Sequence, residues 1–204
     1  MGMQIFADVI QGSPEWFECR MGIPTASMFK EVMSKKGPRG GIPKGRQTYM
    51  YKLAGEIFSG EPMESYSNDN MARGRERETE ARDLYSFLRN IEPTKVGFVR
   101  NGNCGASPDA QIGDSGLWEN KDAMPHIQIV RLLASELPPE HKAQCQGQLM
   151  VCQREWVDFM SYSRGLPPLI IRVERDEPYI AAMKIDIDEF VDELNVLTKQ
   201  IRGM

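Results

Sequence analysis

The 204-residue sequence lacks most of the features that mark a membrane, secreted or metal-clustered protein. No uninterrupted apolar run approaches the roughly 18 residues that a membrane helix requires. The opening Met-Gly-Met-Gln-Ile-Phe-Ala-Asp has no basic stretch followed by an apolar block, so no secretory signal is expected and the reading is cytoplasmic. Cysteine is scarce: Cys19, Cys104, Cys145 and Cys152 form no C-x-x-C pair, and the two histidines, His126 and His141, are not spaced as helical metal ligands. That argues against a structural zinc site. If Cys145 and Cys152 share a helix they stand about 10 Å apart, too far for a disulfide, and all four cysteines read as packing thiols. Excess charge of one sign is missing too, because 25 Lys and Arg face 29 Asp and Glu for a net charge of −4. Bulk electrostatics therefore announce no nucleic-acid binder, and any polyanion site has to be a local patch. There is no internal repeat and no composition shift strong enough to mark a second domain, so residues 1–204 are expected to form one.

What is present is ordinary for a folded chain, 41% hydrophobic and 26% charged. Ser13-Pro14 predicts an N-cap and first turn of a short helix through Cys19, broken by Met21-Gly22-Ile23-Pro24. Thr25-Ala26-Ser27 offers a second cap, for a helix with Met28, Phe29, Val32 and Met33 on a buried face. Residues 35–46 carry four glycines, two prolines and five cations, which predicts a basic loop. A helix with Met50, Leu53, Ala54 and Ile57 follows and stops at Gly60, and another spans about residues 69–89. Past Pro93 a meander of three strands is expected at 94–100, 104–109 and 116–121, separated by the turn signals Asn101-Gly102-Asn103 and Gly113-Asp114-Ser115. Pro138-Pro139 opens a helix, residues 156–162 and 169–173 read as strands, and 177–202 form a long amphipathic helix. This order predicts an α/β sandwich around a mixed sheet.

The chemistry concentrates in Ser107-Pro108-Asp109 and Trp118-Glu119-Asn120-Lys121. Residues at i and i+2 of a strand share a face, so Glu119 and Lys121 project together, and Asp109 can meet them across the hairpin. Two carboxylates at a sheet edge suit Mg²⁺, a hard cation that takes oxygen ligands, and leave the lysine to orient or help deprotonate an attacking water. Phosphodiester hydrolysis is the reaction such a centre suits. A Glu-x-Lys pair on its own is usually a solvated surface pair; the upstream Pro-Asp, ten positions before Glu119, separates this one from that reading.

Three further blocks accompany the motif. They are Trp16-Phe17-Glu18-Cys19-Arg20-Met21-Gly22-Ile23-Pro24-Thr25-Ala26-Ser27, then Gly74-Arg75-Glu76-Arg77-Glu78-Thr79-Glu80-Ala81-Arg82, and Ala143-Gln144-Cys145-Gln146. Together, in this order, they resemble the phage-type alkaline exonucleases, the lambda exonuclease and YqaJ-type viral recombinase family of the PD-(D/E)xK nuclease superfamily. The resemblance runs from about residue 16 to 176. It implies a restriction-endonuclease-like fold, a central mixed β-sheet flanked by α-helices. It implies Asp109, Glu119 and the backbone carbonyl of Asn120 as ligands of Mg²⁺, one ion or two with Mn²⁺ as a substitute, Glu78 as a further metal-side carboxylate, and Lys121 beside the nucleophilic water. Arg20, Ser27, Ser107 and Gln144 are implied around a 5′-terminal phosphate, which suits a guanidinium fork and a helix N-terminus. Without the resemblance Arg20 and Ser27 read as a surface arginine and a helix cap, and Glu78 as an exposed helix charge. Asn120 stands where the family usually has an apolar residue, and its side chain should point away from the metal pair. Gln148 shares the helical face of Gln144, whereas Gln146 reads as a packing or solvent residue.

The function so implied is a Mg²⁺-dependent exonuclease that removes 5′-mononucleotides from ends of double-stranded DNA, acting as a homotrimer ring beside a single-strand annealing protein in phage recombination. The ring accommodates the net negative charge, since only its channel needs cations, and the 35–46 loop is a candidate for contacting phosphates. Two alternatives remain. One is another nuclease of the superfamily, an endonuclease or an iron–sulfur exonuclease of the CRISPR-associated type, although the C-terminal quarter holds no cysteine cluster. The other is a non-catalytic DNA-end-binding module.

Overall fold

The structure, a computed structural model, describes residues 2–34, 41–63 and 68–204, without the side chains of residues 68–75. Strand β1 (Gln4–Phe6) precedes helix α1 (Pro14–Arg20), which starts where Ser13 accepts the Trp16 amide and Pro14 fills the first turn. The single helix expected after Thr25 is instead a 3₁₀ turn (Ala26–Met28) running into the one-turn α2 (Phe29–Val32). Thr25 does not cap it. Its backbone is extended and bridges to Gly105, and its hydroxyl is engaged by Arg20. Helix α3 (Lys44–Ser59) ends at Gly60 in the left-handed conformation, as Gly at this position favours. Residues 44–46, expected in the basic loop, are its first turn. Arg46 is buried, bonding Glu193 at 2.5 Å and the Val32 carbonyl at 3.2 Å, so it is not a loop cation. Residues 35–40 of that loop lie outside the described residues.

Helix α4 (Asn68–Arg89) leads to β2 (Phe98–Asn101), β3 (Cys104–Ala106), β4 (Ala110–Ile112) and β5 (Gly116–Asp122). The expected three-strand meander is two hairpins in two sheets. β1, β2 and β3 form one antiparallel sheet, and the chain leaves it at Ser107-Pro108-Asp109 to begin the second with β4. Proline without an N–H cannot extend the first ladder, and the break places Ser107 and Asp109 between the sheets. Residues 94–97 are not in strand β2, and Thr94 only bridges to Gln111.

The second sheet has the order β4-β5-β6-β7, with β6 (Trp156–Tyr162) parallel to β5 and β7 (Leu169–Glu174) antiparallel to β6. The crossover between β5 and β6 holds α5 (Pro125–Ala134), which the sequence reading did not anticipate, and α6 (Pro139–Cys152). Helix α5 buries Gln128, whose amide bonds the Ser161 and Pro167 carbonyls, and turns Ile129, Val130 and Leu133 outward. Its pattern therefore inverts the usual amphipathic rule.

Helix α6 is buried almost all round, between the 3₁₀ turn, α2, both sheets and α7 (Glu177–Arg202). Phe29, Leu53, Leu117, Leu149, Val157, Phe159, Met183 and Phe190 pack in this main core. A Cβ on Gly147 would collide with the Phe29 ring, so only glycine lets α6 and α2 approach this closely. On the opposite sheet face a second cluster joins Ala81 and Tyr85 of α4 to Trp118, Met160 and Tyr162. Tyr85 also donates to the buried Asp158 at 2.7 Å, and Arg172 completes that carboxylate's partners at 2.5 and 3.0 Å. The result is a mixed sheet flanked by helices, as the sequence pattern predicts.

Candidate active site

The β4–β5 hairpin sets the centre of the site. Ala110 pairs with Trp118, so Asp109, one residue before, stands opposite Glu119. Strand alternation sends Trp118 toward Tyr85 of α4 and turns Glu119 and Lys121 to the α6 side. Lys121 Nζ lies 2.6 Å from Glu119 Oε1, and Asp109 Oδ2 accepts the Asn120 amide at 2.7 Å. From α6, Gln144 and Gln148, one turn apart, each donate to a different oxygen of Glu119 at 2.5 Å. Glu119 is thus only 2% exposed and ringed by donors.

These groups line one cavity of about 300 Å³ with Arg20, Thr25, Ser27, Ser107, Trp16 and Gln11. The Arg20 guanidinium lies over the Trp16 ring, 4.1 Å from its centroid, and reaches Thr25 Oγ1 at 3.3 Å, which in turn is 3.3 Å from Ser27 Oγ. Trp16 donates its indole N–H to Ser107 Oγ at 2.7 Å, tying α1 to the break between the sheets. The Gln11 amide bonds the Pro108 carbonyl at 3.0 Å, holding the same break from the other side. Eight of the nine residues singled out from the sequence thus belong to this region: Asp109, Glu119, Asn120, Lys121, Arg20, Ser27, Ser107 and Gln144.

Glu78 does not line the cavity and lies 3.7 Å from Lys95, but its charge still reaches Asp109 and helps to raise that carboxyl. Among the described residues no three acidic, thiol or imidazole groups gather at metal-binding distance. The four thiols are free, which leaves the iron–sulfur alternative without a ligand set. Gln146 is buried and structural, bonding the Glu174 carbonyl and the Asp176 amide at the turn into α7. The Asn120 amide oxygen is buried without a partner, and strand alternation puts this side chain on the face opposite Glu119 and Lys121. Thr25, Trp16 and Gln11 were missed as cavity residues. Trp16 stood inside a quoted block, while nothing in the local pattern marks Gln11.

Electrostatics suit a cation. Burial, and then the facing Glu119, push the Asp109 carboxyl well above the usual carboxylate range. Burial acts against the Lys121 charge, but Glu119 and Asp109 outweigh it and its pKa is raised. Two facing carboxylates in an enclosed place are relieved by a divalent ion. Gln148 Oε1, buried without a partner, supplies a neutral oxygen nearby. The donor set is all oxygen, as a hard cation requires, and the residues fit such an ion.

The fold and this carboxylate–lysine centre define a nuclease. Residues 15–155 match the YqaJ-like viral recombinase domain, and the chain belongs to that family. The alkaline exonuclease LHK-Exo from Laribacter hongkongensis superposes with a TM-score of 0.83 at 31% identity, over 94% of this chain and 97% of that one. Its complex with dAMP gives a TM-score of 0.84 at 32% identity, with the same coverage. A phage-related exonuclease from Haemophilus somnus 129PT shares the fold, with a TM-score of 0.67 at 12% identity over 88% of this chain and 96% of that one. No curated protein matches. The chain is a phage-type alkaline exonuclease, a deoxyribonuclease with the restriction-endonuclease-like fold. Enzymes of this family generally depend on a divalent metal.

Proposed function

We propose that residues 1–204 form one exonuclease domain that degrades linear double-stranded DNA 5′ to 3′ from phosphorylated ends to mononucleotides, with Mg²⁺. The observation that carries this is the sharing of one cavity by Asp109, Glu119 and Lys121 on one wall and Arg20, Ser27, Ser107 and Gln144 on the others. At about 300 Å³ the cavity is at the small end of ligand sites, a size that suits a strand terminus. The dAMP bound to LHK-Exo, a relative at 32% identity, supports a mononucleotide product.

In this reading Asp109, Glu119 and the Asn120 carbonyl hold the cation, with Glu78 brought in from α4. A divalent ion there supplies neutralisation of phosphoryl charge and a more acidic water. Lys121 orients the attacking water by donating to it. Gln144 and Gln148 fix the Glu119 carboxylate by its two oxygens, which preorganises the centre before substrate arrives. Arg20 offers its fork to the terminal phosphate with Ser27 and Ser107 as hydroxyl donors, and Gln144 lines the cavity beside them.

Assembly as a homotrimer ring around DNA belongs to the same proposal. It is supported by the outward apolar face of α5, where Val130 is 64% and Leu133 83% exposed, since such a face favours a subunit contact. Val130→Glu with Leu133→Glu should convert the assembly to monomers in light scattering, whereas an unchanged mass would remove α5 from the interface. The proposal includes a single-strand annealing protein as partner, a role in phage recombination and a place in the cytoplasm of a bacterial host, and the match to a viral recombinase domain supports it. Among the described residues no helix is long and apolar enough to cross a membrane.

The test is digestion of linear duplexes carrying 5′-phosphate at one end and 5′-hydroxyl at the other, with Mg²⁺ and with chelator. Faster release of nucleotides from the phosphorylated end, abolished by chelator, is expected. Equal loss from both ends would remove the phosphate roles, and cutting of covalently closed circles would replace the exonuclease with an endonuclease.

A further inference from the structure

We infer that Tyr49 and Glu56 of α3 are positioning residues for recognition of the strand terminus, because they hang the backbone of residues 22–25 on α3. The inference rests on the 5′-phosphate role proposed for Arg20 and Ser27. Tyr49 and Glu56 are seven residues apart, on one face of the helix and about 10.5 Å apart along its axis. Tyr49 Oη accepts the Thr25 amide at 3.0 Å, and Glu56 Oε2 accepts the Gly22 amide at 2.9 Å. Neither side chain lines the cavity.

The amide accounting of the segment is closed by these two acceptors. The Ile23 amide goes to the Arg20 carbonyl at 3.4 Å and Pro24 has no N–H, while the Pro24 carbonyl takes the Gly105 amide at 3.0 Å and the Thr25 carbonyl takes Met28 at 2.8 Å. Gly22 adopts a left-handed φ of +71°, and a Cβ there would strike the Ile57 side chain, so the segment lies hard against α3. Glu56 uses both of its oxygens, since Oε1 accepts the Met63 amide at 3.1 Å. Its carboxylate therefore ties two loops to α3.

The segment is flanked by the groups proposed to hold phosphate. Arg20 precedes it and Ser27 follows it, and both side chains reach Thr25 Oγ1 at its end, each at 3.3 Å. Their height relative to Ser107 and Gln144, which belong to other elements, depends on where α3 holds residues 22–25. Removing the Tyr49 hydroxyl leaves the buried Thr25 amide unpaired, and Glu56→Gln sets an N–H donor against one of the two amides that the carboxylate accepts, so either change lets the segment shift. Displacement by an ångström is enough to lose a well-oriented contact.

Tyr49→Phe and Glu56→Gln are compared with the unaltered full-length enzyme on duplexes with 5′-phosphate and 5′-hydroxyl ends in excess Mg²⁺. The ratio of kcat/KM between the two ends should fall by about tenfold through KM on phosphorylated ends, with rates on hydroxyl ends within about twofold. Equal losses on both substrates would mean a merely structural role and overturn the inference, as would an unchanged ratio. If the unaltered enzyme does not distinguish the ends, the phosphate reading itself fails and takes the inference with it. If it does distinguish them and the variants do so equally, the inference alone fails. Should Glu56→Gln not fold, Tyr49→Phe carries the test, since it deletes one hydroxyl from a ring that stays stacked on Phe190 at 5.7 Å.

Discussion

Replacing Lys121 with alanine removes the one cation of the Asp109–Glu119–Lys121 set. At about 4 Å and an effective dielectric near 20, a unit charge pair is worth about 4 kcal/mol, and the gap of 2.6 Å to Glu119 is shorter still. That attraction is not stability, because the lysine side chain is 30% exposed and its own desolvation opposes it. A net loss of about 1–2 kcal/mol is expected, since Gln144 and Gln148 still donate to Glu119. For a chain of this length that lowers the melting midpoint by roughly 2–8 °C. The catalytic effect should be far larger, since a positioned proton-handling group typically contributes about 10²–10⁴ in rate. The assay is release of acid-soluble nucleotide from a 5′-phosphorylated duplex under single-turnover conditions, beside end binding by anisotropy with Ca²⁺ in place of Mg²⁺. At least about a hundredfold loss of rate with binding retained is expected. A loss below about fivefold, or binding lost in proportion to rate, would refute the role given to Lys121. Full activity together with retained binding would remove the enzyme's centre from this motif altogether.

Tyr85→Phe deletes the hydroxyl that donates to the buried Asp158 and should cost about 1–3 kcal/mol in denaturant melts with little effect on rate, because it lies on the sheet face away from the cavity. Gly147→Ala drives a methyl group into the Phe29 ring and should cost about 1–3 kcal/mol; since Gln144 and Gln148 flank it on α6, activity should fall as well. Burial, with Lys121 and Arg131 nearby, depresses His141 to about 4, so the folded protein favours the neutral ring. Its contribution to stability is complete above the unfolded pKa near 6.5 and is lost as pH falls from there through about 4, by at most roughly 3 kcal/mol. His141→Gln should flatten that part of the stability curve, and melts at pH 7.5 and 4.5 that keep the same difference would refute the assignment.

The elements legible in the sequence were those with strong local grammar. Ser13-Pro14 marks α1, Gly60 stops α3, and the glycine turns at 102 and 113 define the hairpins, both with positive φ. The apolar run of Trp156–Tyr162 and the helical period of Glu177–Arg202 also appear where expected. Helix α5 escaped because its apolar residues face outward and its buried residue is a glutamine, the reverse of the pattern that periodicity detects. The three-residue step from β3 into a different sheet escaped because strand pairing partners are not local information.

For the site, the spacing of Asp109, Glu119 and Lys121 was enough to predict a shared face, because strand alternation and hairpin pairing are local rules. Nothing local says that Gln144 and Gln148 divide the Glu119 oxygens, that Trp16 holds Ser107 across 91 residues, or that Glu78 leans toward Lys95. Those contacts join elements distant in the chain, and their geometry follows from how helices and sheets pack. Residue type and local spacing thus determined which chemical groups this protein carries and which of them share a strand face. Packing alone decided which carboxylate is enclosed, which amides surround it, and how the first α1 turn meets the break between the sheets, because burial and direction are properties of the assembled core.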